Sequence, residues 1–414
     1  MEHNLSLFIF HRDLRLDDNT SLIEALKNSE KVIPCFIFDE RQVNKNPYKS
    51  NNCLQFMLNS LKDLNDELKK KKSKLYIFHG LTEDVVDKII KDKKIDAIYS
   101  NKDYTPFARK RDETIKKICE KNSIDFVQLD DALINPPGSV LKDDGTPYTV
   151  YTPFLRKARQ IDVKKPVKNN LSNYYTQKIS NEESSKIFDK ILTVNNKNIL
   201  LNGGIKEAKE LLKKSKSLDY YDNNRNFPRL DYTSHLSSHN KFGTISIREI
   251  YSSFKDNFQE VLINELYWRD FFTHIIYHFP NVLDGAFKNK YNKIKWDNDK
   301  KLFQKWCEGK TGFPIVDAGM RELNTTGYMH NRVRMIVASF LVKDLHINWQ
   351  WGEKYFAQNL IDYDPAVNNG NWQWAASTGC DAQPYFRIFN PWSQQEKFDR
   401  DCEYIKKWVP ELKD

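Results

Sequence analysis

The chain has 414 residues and a formal net charge of +9 at neutral pH, with 65 Lys and Arg residues against 56 Asp and Glu residues. This length allows two or three domains, each with its own core. The basic surplus is typical of proteins that bind a polyanion such as nucleic acid, although a lysine-rich codon preference gives the same excess. No apolar run approaches the roughly 20 residues of a membrane span, and the apolar N-terminal run is too short for a signal peptide. We therefore expect an intracellular protein without a transmembrane segment.

The cysteine and carboxylate patterns argue against a metal centre. The six cysteines are scattered and form no C-x-x-C pair, which favours a reduced protein over a zinc or redox site. Asp362 and Asp364 form an acidic pair, but no histidine or third carboxylate follows at a metal-like spacing. The sequence thus predicts no bound metal.

The first third of the chain alternates short apolar segments with polar, helix-favouring segments. The apolar segments are residues 5–10, 32–38, 75–78, 95–99 and 124–129. Five buried strands joined by helical crossovers predict an α/β domain over residues 1–134, with a five-stranded parallel, doubly wound, Rossmann-like sheet. No G-x-G-x-x-G follows the first strand, so a dinucleotide need not bind there in the usual manner.

The pattern changes at about residue 135. Residues 135–201 are turn-rich and then polar, which predicts a surface connector that is partly helical or disordered. Residues 202–414 carry helical patterns almost throughout and predict an all-α domain. In its segment "HNRVRMIVASFLVKDL", Val333, Val337 and the pair 340–341 form one buried stripe, which leaves another helix face for polar groups.

Three segments of the helical region carry candidate chemistry. The hydroxyl-rich turn at 233–237 suits a phosphate, although Ser and Thr are also common helix caps. Glu265, Trp268 and Arg269 share one side of a helix, either as a solvated ion pair or as a pocket that stacks a flat group. The segment "NNGNWQWAAS" at 368–377 is neutral and aromatic, which fits a packed corner or a binding site equally well.

Long stretches of the sequence resemble one known family. The segment "WCEGKTGFPIVDAGMRELNTTGYMHNRVRMIVASFLVKDL", followed by "LIDYDPAVNNGNWQWAASTGCDAQPYFRIFNP", resembles the FAD-binding domain of the photolyase/cryptochrome family. The N-terminal "FIFHRDLRLDDNTSL" is similar to the opening strand and turn of that family. The similarity is strongest to class I cyclobutane pyrimidine dimer photolyases. It implies light-driven repair of these dimers in UV-damaged DNA, by electron transfer from excited reduced FAD to a flipped-out dimer.

The resemblance also implies which residues bind FAD, one molecule per chain. Asp362 and Asp364 would meet its flavin and adenosine parts, and Asn368 would face flavin N5. A neutral amide there adds no fixed negative charge beside a reduced anionic flavin. The implied set is Tyr221, Thr233, Ser234, His235, Leu236, Ser237, Arg334, Asp362, Tyr363, Asp364 and Asn368.

Further positions match the family's lesion pocket and electron-transfer chain. Trp268 and Trp374 would sandwich the dimer, and the implied catalytic set is Glu265, Trp268, Asn331, Met335, Asn368 and Trp374. The electron-transfer chain would be Trp372, Trp349 and Trp296. The implied DNA contacts are Arg225, Glu265, Trp268, Arg269, Asn331, Arg332, Arg387 and Gln394.

An antenna chromophore is the least determined part of the resemblance. Thr105 stands where folate-binding relatives carry glutamate, whereas Asp39 and Asp103 fit a deazaflavin or flavin antenna better. A blue-light-sensing cryptochrome and a (6-4) photoproduct photolyase are the alternative functions. Asn368 and the early end of the chain disfavour the first, and the single His330 before Asn331 disfavours the second. We expect a monomer.

Overall fold

The computed structural model describes residues 2–44, 46–382, 384 and 387–412. Its N-terminal part is one parallel sheet with the strand order β3-β2-β1-β4-β5. The strands are β1 (His3–Phe10), β2 (Ser29–Asp39), β3 (Tyr76–Gly80), β4 (Ala97–Asn101) and β5 (Asp125–Leu129). The predicted five-stranded, doubly wound sheet is therefore confirmed.

Helices cover both faces of this sheet. They are α1 (Thr20–Asn28), α2 (Glu40–Val43), α3 (Asn51–Lys70), α4 (Thr82–Lys93) and α5 (Pro106–Lys121). In β1, Phe8 and Phe10 pack with α1 and α3, whereas Leu7 and Ile9 pack with α4 and α5. All four side chains are fully buried, which explains why the strand is a continuous apolar run rather than an alternating one.

The segment between sheet and helical region contributes to both cores. It contains α6 (Tyr151–Ala158) and α7 (Lys186–Ile191). Phe154 of α6 belongs to the core of the helical region, whereas Ile187 of α7 packs on the sheet. The expectation of partial helix is thus confirmed, while the boundaries at 135 and 202 stay predictions.

In the C-terminal part, the helices and 3₁₀ or π-helical turns are the only regular elements among the described residues. Its helices are α8 (Ile205–Ser215), α9 (Tyr221–Asn224), α10 (Ser237–Phe242), α11 (Ile247–Asp256), α12 (Glu260–His278), α13 (Lys300–Glu308), α14 (Pro314–Thr326), α15 (Asn331–Ser339), α16 (Trp349–Asn359), α17 (Pro365–Ala376), α18 (Pro391–Phe398) and α19 (Glu403–Trp408). Short 3₁₀ turns lie between some of them, and a π-helical turn follows α15 at Phe340–Asp344. The predicted stripe of α15 is buried. None of the described helices is long and apolar enough to span a membrane.

Two glycines let α17 pack closely against its neighbours. A Cβ on Gly352 of α16 would come within 2.2 Å of the Trp372 ring, and one on Gly370 within 2.1 Å of Phe272 of α12. The helices α12, α16 and α17 therefore approach each other at positions that exclude a side chain. These three helices carry Glu265, Trp268, Arg269, Trp349, Asn368, Trp372 and Trp374 of the predicted site.

Buried ion pairs join the sheet domain to the helical domain. Arg248 of α11 contacts Asp18 and Asp131 at 2.8 Å, and Arg15 contacts Asp131 at 2.6 Å. Burial raises the pKa of Asp131, but the guanidinium groups of Arg15 and Arg248 outweigh burial and lower the pKa to about 2. The network is charged at neutral pH and fixes the two domains to each other.

Candidate functional site

The start of α17 positions the central part of the site. Asp364 is its N-cap, and the Asp364 Oδ1 atom accepts hydrogen bonds from the N–H groups of Ala366 (2.9 Å) and Val367 (3.2 Å). Pro365 follows at the first helical position, where its missing N–H costs nothing. The helix then places Asn368 and Trp372 one turn apart on a buried face.

Two aspartate–arginine pairs flank this helix start. Asp362 accepts a fork of two hydrogen bonds from Arg334, at 2.9 and 3.2 Å. Asp364 pairs with Arg12, which lies just after β1, so the sheet domain reaches into the site. Burial raises the pKa of Asp364, but Arg12 and other nearby cations hold it well below its usual range. Tyr363, between the two aspartates, accepts a hydrogen bond from Lys241 through its carbonyl.

The hydroxyl-rich turn before α10 has unpaired polar groups. His235 adopts a left-handed conformation with φ of 53°, and its Nε2 lies 3.0 Å from an Asp231 carboxylate oxygen. His235 Nδ1 and Ser238 Oγ are buried without a hydrogen-bond partner among the described residues. The N-terminus of α10 has no side-chain cap. The Ser238 hydroxyl could donate a hydrogen bond to a phosphate, and the phosphate interpretation of the turn stays a prediction beside that of a plain cap.

Tyr221 lies near the same turn. Burial raises the pKa of Tyr221 to about 12, so its hydroxyl is neutral and able to donate a hydrogen bond. The guanidinium of Arg225 lies 5.5 Å from the Tyr221 ring centre. Together with the unpaired groups at 235–238, this arrangement fits the diphosphate side of FAD.

Asn368 is held by a carbonyl of the neighbouring helix. Its Nδ2 donates to the Glu353 carbonyl at 3.0 Å, and no described residue donates to its Oδ1. The Glu353 carboxylate accepts from Asn369 Nδ2 at 3.1 Å. Burial raises the pKa of Glu353 to about 7, and the Asn369 hydrogen bond only partly offsets this. The surroundings of Asn368 are therefore close to neutral, with one free oxygen that suits an N–H donor such as flavin N5.

Trp268 is supported by an aromatic stack. Its indole lies parallel to the Tyr151 ring of α6, with ring centres 3.5 Å apart and planes at 9°. One turn before it on α12, Glu265 accepts a hydrogen bond from Arg225 at 2.6 Å. The Glu265–Arg225 pair is half-buried, unlike a solvated helix pair. Trp268 and Glu265 thus border the same part of the helical surface.

Trp374 and the predicted pocket residues of α15 lie nearby in the fold. Trp374 is half-buried and stacks on Phe389, with ring centres 6.4 Å apart. On α15, Asn331 is exposed and Met335 is half-buried, on the side away from the core stripe. The sandwich of a dimer between the two tryptophans stays a prediction.

Three arginines form the rim of this region. The pKa of Arg332 is lowered, first by burial and then by the charges of Arg225 and Arg387. The like charges of Arg225 and Arg387 therefore act on Arg332. Arg332 also donates to Asn226 Oδ1 at 2.6 Å and lies over the Phe398 ring. A cluster of like charges is a suitable contact for a phosphate backbone.

Arg269, a predicted DNA contact, lies at the domain junction. Its guanidinium donates to the carbonyls of Ala132 (2.6 Å) and Asn240 (3.1 Å) and points to the domain junction. Burial and the charge of Arg12 lower its pKa, and Asp364 acts in the opposite direction. Arg269 therefore belongs to the cluster around Asp364. Glu265 and Arg269 thus share one side of α12, but their side chains bond in different directions, and the DNA contact of Arg269 stays a prediction.

The remaining predicted DNA contact, Gln394, is half-buried on α18, and its Oε1 has no hydrogen-bond partner among the described residues.

The three tryptophans of the predicted electron-transfer chain differ in exposure. Trp372 and Trp349 are buried, whereas Trp296 is half-exposed with its ring 5.4 Å from His346. This order runs from interior to surface, as the prediction requires.

Sequence reasoning missed three residues of the site. Arg12, Tyr151 and Glu353 each touch a predicted residue, through an ion pair, a ring stack and a main-chain carbonyl respectively. Arg12 lies in "FIFHRDLRLDD", whose family likeness does not indicate a role for this arginine in the helical domain. For Tyr151 and Glu353 the sequence offers no local signal, since their partners lie far away along the chain.

Comparisons with known proteins identify the family of the chain. A profile described as the FAD binding domain of DNA photolyase matches residues 262–414, and a DNA photolyase profile matches residues 6–170. The chain belongs to the DNA photolyase family. A deoxyribodipyrimidine photo-lyase of Alkalihalophilus pseudofirmus is 38% identical over 420 residues, which cover 97% of this chain and 86% of that relative.

Solved structures of family members have the same fold. An archaeal photolyase from Sulfolobus tokodaii was solved with two FAD molecules and is 46% identical, with a TM-score of 0.91. The match covers 99% of this chain and 91% of the Sulfolobus tokodaii chain. A Synechocystis cryptochrome has the same TM-score at 29% identity, and the match covers 99% of this chain and 89% of the cryptochrome chain. The resemblance inferred from the sequence is thus confirmed, and so is an FAD-binding domain.

Proposed function

We propose that this photolyase repairs cyclobutane pyrimidine dimers in UV-damaged DNA at the region bounded by Trp268, Trp374 and the arginine rim. The observation that carries the proposal is the Trp268 indole held at 3.5 Å against Tyr151, beside the Glu265–Arg225 pair. A supported aromatic face next to a half-buried carboxylate can stack a base and accept hydrogen bonds from its edge. The rim arginines supply the phosphate contacts.

FAD fits the residues on the interior side of this region. Tyr221, the 233–237 turn and the Asp362–Arg334 pair would hold it, with Asn368 at the ring. When bound and reduced, it supplies the light-driven electron that opens the cyclobutane ring. The chain itself contributes position and electrostatics. Asn368 orients its free oxygen through the Glu353 carbonyl, and the raised pKa of Glu353 limits negative charge near an electron-rich ring.

Extruding a dimer from the duplex has a free-energy cost that the site must offset. Flipping costs a few kcal/mol and least at a lesion whose stacking is already damaged. Stacking on an aromatic side chain contributes about 1–3 kcal/mol per base. Stacking on Trp268 and Trp374 can therefore offset the free energy of extrusion. The selectivity for damaged DNA follows from the weaker stacking of the lesion.

The structure offers no support for (6-4) photoproduct chemistry at His330. Its side chain caps α15 by accepting a hydrogen bond from the Arg332 N–H at 3.2 Å. Burial lowers the pKa of His330 to about 4, so it is neutral at physiological pH. His330 is therefore not an acid available to a lesion.

Defined lesions test the proposal. Chemically reduced protein is mixed with duplexes that carry one thymine cyclobutane dimer, one (6-4) photoproduct or no damage, and is illuminated with blue light. We expect light-dependent restoration of the dimer duplex only, measured by chromatography of the digested strands. Restoration of the (6-4) duplex alone would contradict the proposal, and binding of FAD without repair of either lesion would favour a sensory role.

A second, flavin-type chromophore is the antenna that we propose. The Sulfolobus tokodaii relative was solved with two FAD molecules. Thr105 caps α5 with its hydroxyl rather than offering a carboxylate. Asp39 and Asp103, in contrast, already accept hydrogen bonds from Thr82 and from the Thr105 N–H, so their support for an antenna is weaker than the sequence suggested. Chromatography of the chromophores released by acid should show flavin or deazaflavin beyond one FAD per chain, and folate would contradict this.

A further inference from the structure

Tyr151 connects the segment between the two domains to Trp268. The Tyr151 side chain is buried, and its ring lies parallel to the indole with ring centres 3.5 Å apart and planes at 9°. The stack of Trp374 on Phe389 is looser, with ring centres 6.4 Å apart. Of the two tryptophans that are predicted to sandwich the dimer, Trp268 is thus the more closely held.

The hydroxyl of Tyr151 holds the same turn of α12. It donates a hydrogen bond to the Asn264 carbonyl at 2.8 Å. In a regular α-helix this carbonyl also accepts the N–H of the residue four positions later, which is Trp268. Burial raises the pKa of the Tyr151 hydroxyl, and the charge of Glu265 adds to this, so the hydroxyl is neutral and able to donate. The ring of Tyr151 therefore contacts the indole, and its hydroxyl binds the backbone from which the indole projects.

The position of Tyr151 is itself set from the other side of the site. Tyr151 is the first residue of α6, whose N-cap residue Val150 makes no side-chain hydrogen bond. Asp381, which follows α17, accepts the Tyr151 N–H at 3.0 Å and so satisfies one of the donors at the helix start. A carboxylate at a helix N-terminus is also favoured by the helix dipole. Because Phe154 and Ala158 are buried in the core of the helical region, α6 is anchored both at its start and along one face.

A fixed indole plane lowers the free-energy cost of binding a flat ligand. Immobilising a side chain on binding costs conformational entropy, and a side chain that is already held in the free protein avoids this cost. The Tyr151 ring also covers one face of the indole at van der Waals distance, so a base cannot enter between the two rings. The lesion must therefore stack on the part of Trp268 that Tyr151 leaves open.

We propose that Tyr151 is a positioning residue for the lesion, because it holds the Trp268 indole in the orientation that stacks on the extruded dimer. This inference rests on the repair of dimers proposed above. It gives the segment between the domains a part in the recognition of damage. The described ring contacts of Tyr151 are with Trp268 and Phe271, so Tyr151 affects the binding of the lesion rather than electron transfer within the bound complex.

Kinetic and binding measurements on Tyr151→Leu test this inference. We expect the affinity for DNA with one cyclobutane dimer to fall about five- to tenfold, whereas kcat at saturating DNA stays within about twofold of the parent value. Tyr151→Phe keeps the stacked ring and loses one hydrogen bond, so it should recover most of the affinity. Tyr174→Leu is the matched control. Tyr174 is a buried tyrosine of the same segment that packs on the sheet, and its loss should leave the affinity for the dimer unchanged.

A double-mutant cycle separates positioning from a general loss of structure. In the Trp268→Ala background there is no indole to position, so Tyr151→Leu should then change the affinity for dimer DNA less than about twofold. An equal loss of affinity in both backgrounds would overturn the inference, because it would show that Tyr151 acts on the fold rather than on Trp268. Parental affinity of Tyr151→Leu itself would overturn it as well.

Fluorine NMR of protein labelled with fluorotryptophan observes the indole without DNA and without repair. Trp268→Phe assigns the Trp268 resonance. We expect this resonance to be single in the free parent protein and to shift in Tyr151→Leu, because the ring current of Tyr151 is lost. Several resonances of Trp268 in the free parent protein would contradict a fixed indole. Failure of the proposed function has a different signature: the parent protein itself would not distinguish damaged from undamaged DNA.

Discussion

Charged side chains are paired with opposite charges in the interior of the site, whereas like charges lie together at its rim. On the interior side, Asp362 and Asp364 are each paired with an arginine, and the pKa of Asp364 lies well below its usual range. On the rim, Arg225, Arg332 and Arg387 lie close enough for the pKa of Arg332 to fall. Both aspartates of the interior thus have an arginine partner, whereas Arg225 alone of the three rim arginines has a carboxylate partner among the described residues, Glu265.

This difference shows how one helical domain can serve two ligands. Paired buried charges keep the cofactor side in a fixed geometry, because breaking one partner leaves the other charge uncompensated. Repelling charges at the rim are relieved by phosphates, which also makes the association dependent on salt. The two sides should therefore respond separately to substitution.

The largest effect is expected from Asp364→Asn. Asparagine keeps the cap of α17 but removes the nearer carboxylate partner of Arg12 and leaves only Asp103, at 3.7 Å, which should lower the free energy of unfolding by about 3 kcal/mol. Urea denaturation and the FAD absorbance after gel filtration measure the two losses. Asp87→Asn, which breaks an exposed ion pair with Lys91, should cost no more than about 0.5 kcal/mol. Equal costs for the two variants would refute the description of the interior as a set of buried pairs.

Glu353→Gln should change the pH dependence of stability. The pKa of Glu353 in the folded protein is about 7, above the value of 4.5 of an unperturbed glutamate. Between these values the folded state holds a proton that the unfolded state has lost, so the folded protein loses stability as pH rises. Glutamine has no proton to lose, and the variant should gain about 2.5 kcal/mol relative to the parent between pH 5 and pH 8.

Urea denaturation at the two pH values measures this gain. Asp270 and Glu322, whose pKa values burial also raises to about 7, are present in both proteins and cancel in the difference. A difference that is independent of pH would show that the carboxyl group of Glu353 is already ionised in the folded protein.

Trp268→Ala should affect the DNA side alone. Loss of one stacking face should weaken binding of dimer-containing DNA by about 1–3 kcal/mol while FAD remains bound. Fluorescence anisotropy with a labelled oligonucleotide and flavin absorbance measure the two properties. Trp268→Phe retains a ring against Tyr151 and should lie between the parent and the alanine variant. Parallel loss of flavin and DNA would place Trp268 on the cofactor side instead.

The smallest effect is expected from Arg387→Gln. Removing one phosphate contact should reduce the slope of log Kobs against log salt concentration by about 1, with equal weakening for different flanking sequences. Arg109→Gln replaces an exposed arginine of α5 that lies over Tyr277 rather than at the rim, and its slope should equal that of the parent. A parental slope for Arg387→Gln would remove that residue from the DNA contact surface.

The sheet could be predicted from the sequence because its strands are buried on both faces and form apolar runs between turn signals. The helical periodicity of α15 likewise identified its core stripe, and the segments around Asp362 and Asn368 identified the family. Ion pairs between distant parts of the chain could not be predicted from the sequence, because Arg12 and Asp364 are 352 positions apart. The stack of Tyr151 on Trp268 depends on how a helix of the presumed connector packs, and Arg269 shows that residues on one helix side can extend in different directions.

The most direct test of the whole account is the splitting of dimers by the protein itself. Chemically reduced protein is mixed with UV-damaged oligothymidylate and illuminated with blue light, and thymine absorbance is followed against a dark control. The account predicts recovery of absorbance in the light only, with a rate that falls in Trp268→Ala at subsaturating DNA. No recovery from a parent protein that binds both FAD and the damaged strand would contradict it.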